Sequence, residues 1–238
     1  MTSRPAFFPL ENGVGVDDSQ AFDFVWNPGF SFQQKQKNVR ALHDSIRAKV
    51  VGCSPLEVSS KSYDEIGVRL SAFNLSILHE GRRMTVESVF QASKVFERGG
   101  PFPALYTSES REVREFIKGE DRGQLMAFET GGVRWPLNPT RAFYDWVYIQ
   151  FLVRNKELAD ALVGFDCFTD IEFNPKKSLN CQAYAVALYL SMKRAGVLDE
   201  AMQSRESFLR FHPTDVVVVG NGRNEHVQVG PEQITFGF

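Results

Sequence analysis

The sequence predicts a single compact domain of the α+β class, mainly helical with short strands, followed by a possible C-terminal β-hairpin extension. Three observations support this prediction. The chain has 238 residues, of which 43% are hydrophobic and 24% charged, as in one ordinary globular domain. Apolar residues recur at helical spacing in several segments, and the strand-like segments between them are short. No internal repeat and no low-complexity linker divides the chain.

The chain is expected to consist of three parts. Residues 1–20 contain Pro, Gly and Asp without periodicity, which indicates a flexible N-terminal arm. Residues 21–211 carry the periodic segments and form the predicted domain. Residues 212–238 form the C-terminal extension, where strand-like segments at 215–220 and 225–229 predict a terminal hairpin.

The first predicted element is an amphipathic, locally basic helix from Gln33 to Val50, in which apolar positions recur at helical spacing. Short strands are predicted at 56–62 and 68–75. The segment 77–84 then turns around Glu80-Gly81 and leads to a helix.

Capping signals bound the next two predicted helices. Thr85 suits the N-cap of the first, and Gly99-Gly100-Pro101 ends it. The second runs from Ser108 to Lys118 and stops at Gly119. Three of its apolar residues are expected to face inward: Val113, Phe116 and Ile117.

The second half of the chain alternates turn signals with helical segments. A hairpin is predicted around Gly131-Gly132, because glycine tolerates the positive φ of a two-residue turn. Asn138-Pro139 supplies an N-cap and a first-position proline for a helix that reaches Arg154. The other predicted elements are hairpin strands at 124–130 and 133–137, helices at 158–163, 181–194 and 199–211, and an extended segment at 168–173.

Composition argues against several kinds of site. The net charge of −2 gives no global basic field for non-specific nucleic-acid binding, so a polynucleotide would be met locally. Cys53, Cys167 and Cys181 lack CxxC spacing and the four His residues are scattered, so neither a disulfide framework nor a metal site is expected. No apolar run has the length of a signal peptide or membrane span, and we expect a soluble, cytoplasmic protein without membrane contact.

The segment Thr85–Phe96 places an acid and an amine at a suggestive spacing. On a continuous helix, Glu87 and Lys94 lie on the same face two turns apart, about 10 Å along the helix axis. Phe90 and Gln91 lie between them. This line follows the flank of an apolar stripe, where pockets open. A solvated helix edge with two ordinary charges explains the same pattern equally well.

Two further segments contain polar groups beside aromatic or apolar residues. Asp145 lies among large rings, including Tyr144 and Trp146, which would floor a pocket for a planar base. The alternative is that Asp145 faces solvent in the first turns of its helix. The short cluster Ser59-Ser60-Lys61-Ser62 resembles a small anion-binding edge.

The segment Thr169–Cys181 is the densest polar cluster before an apolar helix. Backbone N–H groups and lysines there would meet a phosphate while an acid meets a sugar. A solvated loop that caps the following helix is the alternative. The candidate residues in this segment are Glu172, Asn174, Lys176, Lys177, Ser178 and Asn180.

Together the segments TVESVFQASKVF, WPLNPTRAFYDW and FTDIEFNPKKSLNCQA resemble the NADAR family, the NAD- and ADP-ribose-associated domains, and most closely the antitoxin partners of guanine-specific DarT toxins. The resemblance covers roughly Phe24 to Phe211. Further matching segments are Trp26–Ser31 with Gln34-Lys35, Glu57–Ser62 and Leu70–Leu75. The resemblance implies a compact, mainly helical α+β fold.

The implied activity is removal of ADP-ribose from guanine bases in DNA, which reverses the toxin's modification. The family's E-x-x-x-Q-x-x-K motif falls on Glu87, Gln91 and Lys94, and its second acid on Glu172. More distant members carry Trp-Gly near the second acid, where this chain has Leu179-Asn180. No cofactor or metal is implied; the implied partners are ADP-ribosylated DNA, ADP-ribose as product and a cognate DarT-type toxin.

The chemistry gives these residues roles. The bond to be broken joins an anomeric carbon to the exocyclic amine of guanine, and Glu87 would protonate the base. As a neutral amine, Lys94 would attack the anomeric carbon or the ring-opened aldehyde; as ammonium it would only bind phosphate. The first role requires a pocket that lowers the pKa of Lys94. Phe73, Tyr144 and Trp146 are candidate stacking rings for a flipped base, and Asn74 lies beside them in sequence.

Two other functions remain open. One is an N-glycosidase for riboflavin-pathway or other ADP-ribose- or NAD-derived metabolites, as distant family members suggest. The other is a non-catalytic module that binds ADP-ribose or a toxin, in which case Glu87 and Lys94 need not be reactive.

Overall fold

A computed structural model of the chain describes residues 1–18, 20–174 and 180–213. Mixed helices and short strands confirm the predicted α+β class. The strands are β1 (Thr2–Pro5), β2 (Phe8–Pro9), β3 (Val16–Asp17), β4 (Ala21–Phe24), β5 (Pro55–Glu57), β6 (Ser76–His79), β7 (Arg82–Thr85), β8 (Lys94–Phe96), β9 (Leu125–Thr130), β10 (Val133–Trp135) and β11 (Cys167–Thr169). The α-helices are α1 (Phe32–Lys49), α2 (Glu65–Leu70), α3 (Val86–Ala92), α4 (Ser110–Lys118), α5 (Ala142–Arg154), α6 (Lys156–Ala161), α7 (Gln182–Arg194), α8 (Leu198–Ala201) and α9 (Arg205–Phe211).

The core lies around α5 and α7, which pack against each other. Both helices are apolar on most of their faces, which is the pattern of a helix surrounded by protein. A smaller apolar cluster lies where α1 packs beneath β4, with Phe22, Leu42 and Ile46 at its centre. None of the described helices is long and apolar enough to cross a membrane.

The strands form small separate sheets. The order β10-β9-β8 makes a three-stranded antiparallel sheet, and β5 pairs in parallel with β11. Three antiparallel pairs complete the set: β1 with β4, β2 with β3, and β6 with β7. The β5–β11 pair is central to the site, because the polar segments at 59–61 and 170–172 follow directly from its carboxyl ends.

Several predicted elements are confirmed. Helix α1 lies within one residue of its predicted bounds, and Ser31 caps it by accepting a hydrogen bond from the Gln34 N–H. The hairpin β9–β10 turns at Gly131 and Gly132, whose φ angles of 57° and 75° explain the pair of glycines. The hairpin β6–β7 and helices α4, α6 and α7 also form where they were predicted.

Other predictions for the first third of the chain are wrong. Residues 2–17 are not a loose arm, because they hold β1, β2 and β3, and Phe7 is buried in the core. The predicted strand at 68–75 begins instead as helix α2, since the Asp64 carboxylate caps it by accepting from the Ile66 N–H at 2.8 Å. The predicted strand at 56–62 extends only to Glu57.

The helix after Thr85 ends earlier than predicted. It stops at Ala92, and Lys94–Phe96 forms strand β8, which pairs with β9. The chain needs Gly100 here, because a Cβ at that position would lie 2.1 Å from the Lys94 carbonyl oxygen, and its φ is +93°. Glu87 and Lys94 are therefore not on one helical face.

The later half contains four smaller corrections. Helix α5 begins at Ala142 rather than after Asn138, and the extended segment predicted at 168–173 is a strand only to Thr169. The predicted helix at 199–211 is split, because Ser204 caps a new helix by accepting from the Ser207 N–H. Phe116 is 43% exposed rather than inward-facing. The predicted terminal hairpin lies outside the described residues, and the division at 21–211 and 212–238 stays a prediction.

Candidate active site

A cavity of about 200 Å³ opens where the β5–β11 pair meets the start of α3. Its lining is mixed, with hydroxyl, amide and carboxyl groups beside aromatic rings. Eight of the predicted site residues line it: Ser59, Ser60, Lys61, Phe73, Glu87, Tyr144, Glu172 and Asn180. Five lining residues were missed: Ser71, Ala72, Asp170, Phe173 and Gln182.

Glu87 occupies the first turn of α3, which Thr85 caps by accepting a hydrogen bond from the Ser88 N–H at 3.1 Å. Its carboxyl group is completely buried. Oε1 accepts a hydrogen bond from Gln91 Nε2 at 3.1 Å, whereas Oε2 has no hydrogen-bond partner in the described part of the chain. A buried carboxyl oxygen with no partner, at a cavity wall, is well placed to bind or protonate a ligand.

Burial raises the pKa of Glu87 to about 7. The positive charge of Arg114, the hydrogen bond from Gln91 and the positive charge of Lys94 oppose this rise, in decreasing order. The carboxyl group is thus partly protonated near neutral pH, as a general acid must be.

Lys94 lies on β8 opposite Phe128 of β9, and its side chain is 9% exposed. Its Nζ atom is 5.6 Å from the ring centroid of Phe90. Burial lowers the pKa of Lys94 to about 8, and the negative charge of Glu87 opposes this effect. Lys94 and Glu87 are thus electrostatically coupled without a direct ion pair, and Lys94 does not line the cavity.

A chain of hydrogen bonds joins the two walls of the cavity. Asp170 Oδ2 accepts from Gln182 Nε2 at 3.0 Å, and Gln182 Oε1 accepts from the Ala72 N–H at 2.8 Å. The Ala72 carbonyl oxygen then accepts from the Glu87 N–H at 3.0 Å. The segment between α2 and β6 is therefore fixed to both carboxylic acids, and movement of one wall is coupled to the other.

Glu57 is a second buried acid, directly behind the cavity wall. It accepts hydrogen bonds from Ser59 Oγ at 2.5 Å and from Thr169 Oγ1 at 2.7 Å. His43 continues the chain with Nε2 at 2.9 Å from Thr169 Oγ1 and Nδ1 at 2.5 Å from the Tyr63 hydroxyl. Burial lowers the pKa of His43 to about 3, so its ring is neutral. Since the Thr169 hydroxyl donates to Glu57, it accepts from His43 Nε2, and Nδ1 then accepts from the Tyr63 hydroxyl. This chain fixes Ser59 at the cavity.

Asp170 contributes a second carboxyl group to the cavity itself. Burial raises the pKa values of both Asp170 and Glu57, and the negative charge of Asp170 raises that of Glu57 further. Glu172, the acid singled out from the sequence, is less buried and forms an ion pair with Lys35, whose Nζ is 3.0 Å from Oε1. Asp170 stands in the same motif, two residues earlier, and its position directly after a buried strand is the signal that could have identified it.

The rings around the cavity divide into packing and accessible groups. Tyr144 is 1% exposed and packs edge-to-face against Phe90 at 5.2 Å between centroids. Phe73 is only half-buried, and the Arg114 guanidinium lies 5.5 Å from its ring centroid. Phe73 is therefore the better stacking candidate of the two.

The structure does not bring every predicted residue to the cavity. Asp145 is completely buried and lies 2.9 Å from His212 Nε2, so neither the solvent-facing nor the pocket interpretation holds. Trp146 packs on Trp135 at 5.0 Å between centroids. Asn74 donates to the Val68 carbonyl oxygen instead.

The remaining predicted residues have other positions. Gln91 donates a hydrogen bond to Glu87 but does not line the cavity, and neither does Asn174. Lys176, Lys177 and Ser178 lie outside the described residues. Within the described ranges, no group of three or more His, Cys, Asp or Glu side chains is arranged to hold a metal ion.

A protein-family model described as DarT1-associated NADAR antitoxin matches residues 2–218. The match begins well before Phe24, so it includes the N-terminal strands that the sequence resemblance left out. No curated protein sequence matches the chain.

Proposed function

The chain belongs to the DarT1-associated NADAR antitoxin family, and from that membership we propose that it is a glycohydrolase that removes ADP-ribose from guanine bases in DNA. Glu87 carries this proposal. It is a buried acid on the cavity wall with one unpartnered oxygen, and its pKa is raised to about 7. These are the properties that protonation of a leaving base requires near neutral pH.

The bond to be cleaved joins the anomeric carbon of the ribose to the exocyclic nitrogen of guanine. As this bond breaks, its electron pair stays with the nitrogen, which takes the proton from Glu87. The Lys94 amine supplies its lone pair to the anomeric carbon and returns one proton to the Glu87 carboxylate, and the ribose ring of the covalent adduct then opens to a Schiff base. Water then hydrolyses the adduct, returns the amine and releases ADP-ribose.

Burial supports the role of Lys94, since it lowers the pKa of the amine to about 8 and so increases the neutral fraction at physiological pH. Because Lys94 does not line the cavity, the covalent route requires its amine to enter the cavity when substrate binds. The alternative is an oxocarbenium-like route in which the lysine acts only through its charge.

The cavity also limits how the substrate binds. Its volume of about 200 Å³ is below the roughly 300–1,000 Å³ of common ligand sites, so it accommodates the reacting ribose and part of the guanine. Phe73 provides a ring face for the base, and the polar edge at Ser59–Lys61 provides donors for phosphate. A guanine reaches this cavity only when it is outside a duplex stack.

The test is release of ADP-ribose from an oligonucleotide with one ADP-ribosylated guanine, measured by chromatography. We expect turnover by the wild type and loss of about 10²–10⁴-fold in the rate with Glu87→Gln, while ADP-ribose still binds in calorimetry. Glu115→Gln on the exposed face of α4 is the matched control and should keep full activity. Full turnover by Glu87→Gln would refute the assignment of the acid.

Two further measurements separate the alternatives. ADP-ribosylated thymine in the same oligonucleotide should react far more slowly, and equal rates would refute guanine specificity. Borohydride added during turnover should trap a reduced adduct on Lys94, and its absence would favour the oxocarbenium-like route. A wild type that binds ADP-ribose without releasing it from DNA would instead be a binding module.

A further inference from the structure

We propose that a strand-binding surface beside the cavity, formed by Phe32, Arg40, Lys61 and Tyr63, binds the single-stranded DNA that flanks the modified guanine. This inference rests on the proposed function, because it assigns the path of the same substrate outside the cavity. The observations that carry it are the continuity of this surface with the cavity, its uncompensated positive charge and its exposed aromatic rings.

The surface is one continuous ridge, because the segment 61–63 runs along α1. Lys61 Nζ is 5.7 Å from the ring centroid of Phe32, and Gln36 Nε2 donates to the Ser62 carbonyl oxygen at 3.2 Å. The Arg40 guanidinium is 5.7 Å from the ring centroid of Tyr63. Phe32 and Arg40 are separated by about 12 Å along the helix axis. Since Lys61 also lines the cavity, the ridge starts at the cavity edge.

The two cations of the surface are not engaged in ion pairs within the described part of the chain. Arg40 and Lys61 form no ion pair with any residue in the described ranges, and neither does Lys37 on the next exposed position of α1. Lys35 differs, because it pairs with Glu172. In a chain of net charge −2, a local cluster of uncompensated cations is complementary to the phosphates of a nucleic-acid strand.

Exposed rings stand between these cations. Phe32 is 46% exposed and Tyr63 is 41% exposed, and Phe30, just before the helix, is completely exposed. Alternating ring faces and cations suit a single strand, whose unpaired bases stack on aromatic rings while its phosphates meet the charges. A duplex keeps its base faces hidden, so the rings favour a single strand.

A protein partner fits the surface less well. Protein interfaces are enriched in arginine and aromatic residues but depleted of lysine, and the unpaired cations Arg40 and Lys61 would both require matching acids on a protein partner. The same residues on a nucleic-acid surface are ordinary. Binding of a DarT1-type toxin to this surface is therefore the alternative that the experiment below tests.

The experiment measures binding of a short, fluorescein-labelled, unmodified single strand by fluorescence anisotropy. We expect the double variant Phe32→Ala/Arg40→Ala to bind about tenfold more weakly than the wild type, because one stacking ring and one phosphate contact are lost. The slope of log affinity against log salt should fall by about 0.7 for the lost phosphate contact.

The matched control is Phe116→Ala/Arg111→Ala. Phe116 is 43% exposed, close to the 46% of Phe32, and Arg111 is an exposed cation on the same helix as Phe116, away from α1. The control should keep wild-type affinity and salt slope. Unchanged binding by the surface variant, or an equal loss by the control, would overturn the proposal.

Two comparisons separate this proposal from the proposed function. An ADP-ribosylated guanosine nucleotide without flanking DNA should be cleaved equally by the wild type and the surface variant, whereas the KM for a modified oligonucleotide should rise only for the variant. A wild type that cleaves neither substrate would refute the proposed function. The anisotropy measurement on unmodified DNA would then still decide whether the surface binds a single strand. If the surface variant no longer binds a purified DarT1-type toxin but still binds the single strand with wild-type affinity, the surface binds protein and our proposal is wrong.

Discussion

The rate of ADP-ribose release should show a bell-shaped dependence on pH, with limbs near the pKa values of Glu87 and Lys94. These values are about 7 and about 8, because burial raises the first and lowers the second. The proposed reaction uses the protonated acid and the neutral amine. Because the acid has the lower pKa, most carboxyl groups lose their proton before most amines do as the pH rises. Molecules with a protonated acid and a neutral amine are therefore a minority at every pH.

The size of that minority follows from the two values. Midway between them, about a quarter of the carboxyl groups are protonated and about a quarter of the amines are neutral, so roughly 6% of the molecules have both. Two pH units to either side, the fraction falls about 20-fold. The rate should therefore be highest at pH 7–8 and fall on both sides.

Glu87→Gln tests which residue produces which limb. The variant should lose the fall in rate at high pH, because no acid remains to deprotonate. The remaining limb should lie below pH 8, since the negative charge of Glu87 raises the pKa of Lys94 and the variant removes that charge. Single-turnover rates on the modified oligonucleotide across this pH range supply the measurement. A wild-type rate independent of pH, or a variant that keeps both limbs, would refute the reasoning.

Three further predictions concern stability and the cavity walls. Because the pKa of Glu87 rises from 4.5 to about 7 on folding, its contribution to the free energy of unfolding is fully present below pH 4.5 and is lost as the pH rises through 7. The free energy of unfolding of Glu87→Gln, measured by urea titration, should therefore exceed that of the wild type by about 3 kcal/mol above pH 7 but not below pH 4.5. Asp145→Ala should lower the free energy of unfolding by about 1–3 kcal/mol, because His212 loses a buried partner, and an unchanged melting temperature would contradict this. Gln182→Met should reduce kcat with a smaller effect on the melting temperature, because it disconnects the two cavity walls; a variant with full kcat would show that the connection is unimportant.

Local signals predicted the parts of the fold that depend on neighbouring residues. Thr85 as N-cap predicted the start of α3, whose first turn holds Glu87, and the paired glycines predicted the β9–β10 turn. The polar cluster at 59–61 was found because hydroxyl groups and a lysine stood between apolar residues. In each case the determining contacts lie within a few residues.

Non-local pairing decided what the sequence did not show. Lys94 has the spacing of a helical residue, yet β9, about thirty residues later, provides a pairing edge that draws Lys94–Phe96 into a strand. Asp145 looked like a pocket residue because its partner, His212, is 67 positions away. The missed Asp170 and Gln182 meet because the start of α7 packs against the end of β11. No periodicity in the sequence reports such contacts.

The balance of forces on Glu87 shows how the site is prepared for its substrate. The first turn of a helix favours a carboxylate by about 0.3–1 kcal/mol, and nearby cations act in the same direction. Burial nevertheless raises the pKa of Glu87 from 4.5 to about 7, which corresponds to roughly 3 kcal/mol, so the loss of hydration outweighs these favourable interactions. A base that fills the cavity removes solvent from the wall that Glu87 lines, and so raises the pKa of Glu87 further. In the proposed reaction, substrate binding therefore increases the protonated fraction of the acid when the leaving base requires a proton.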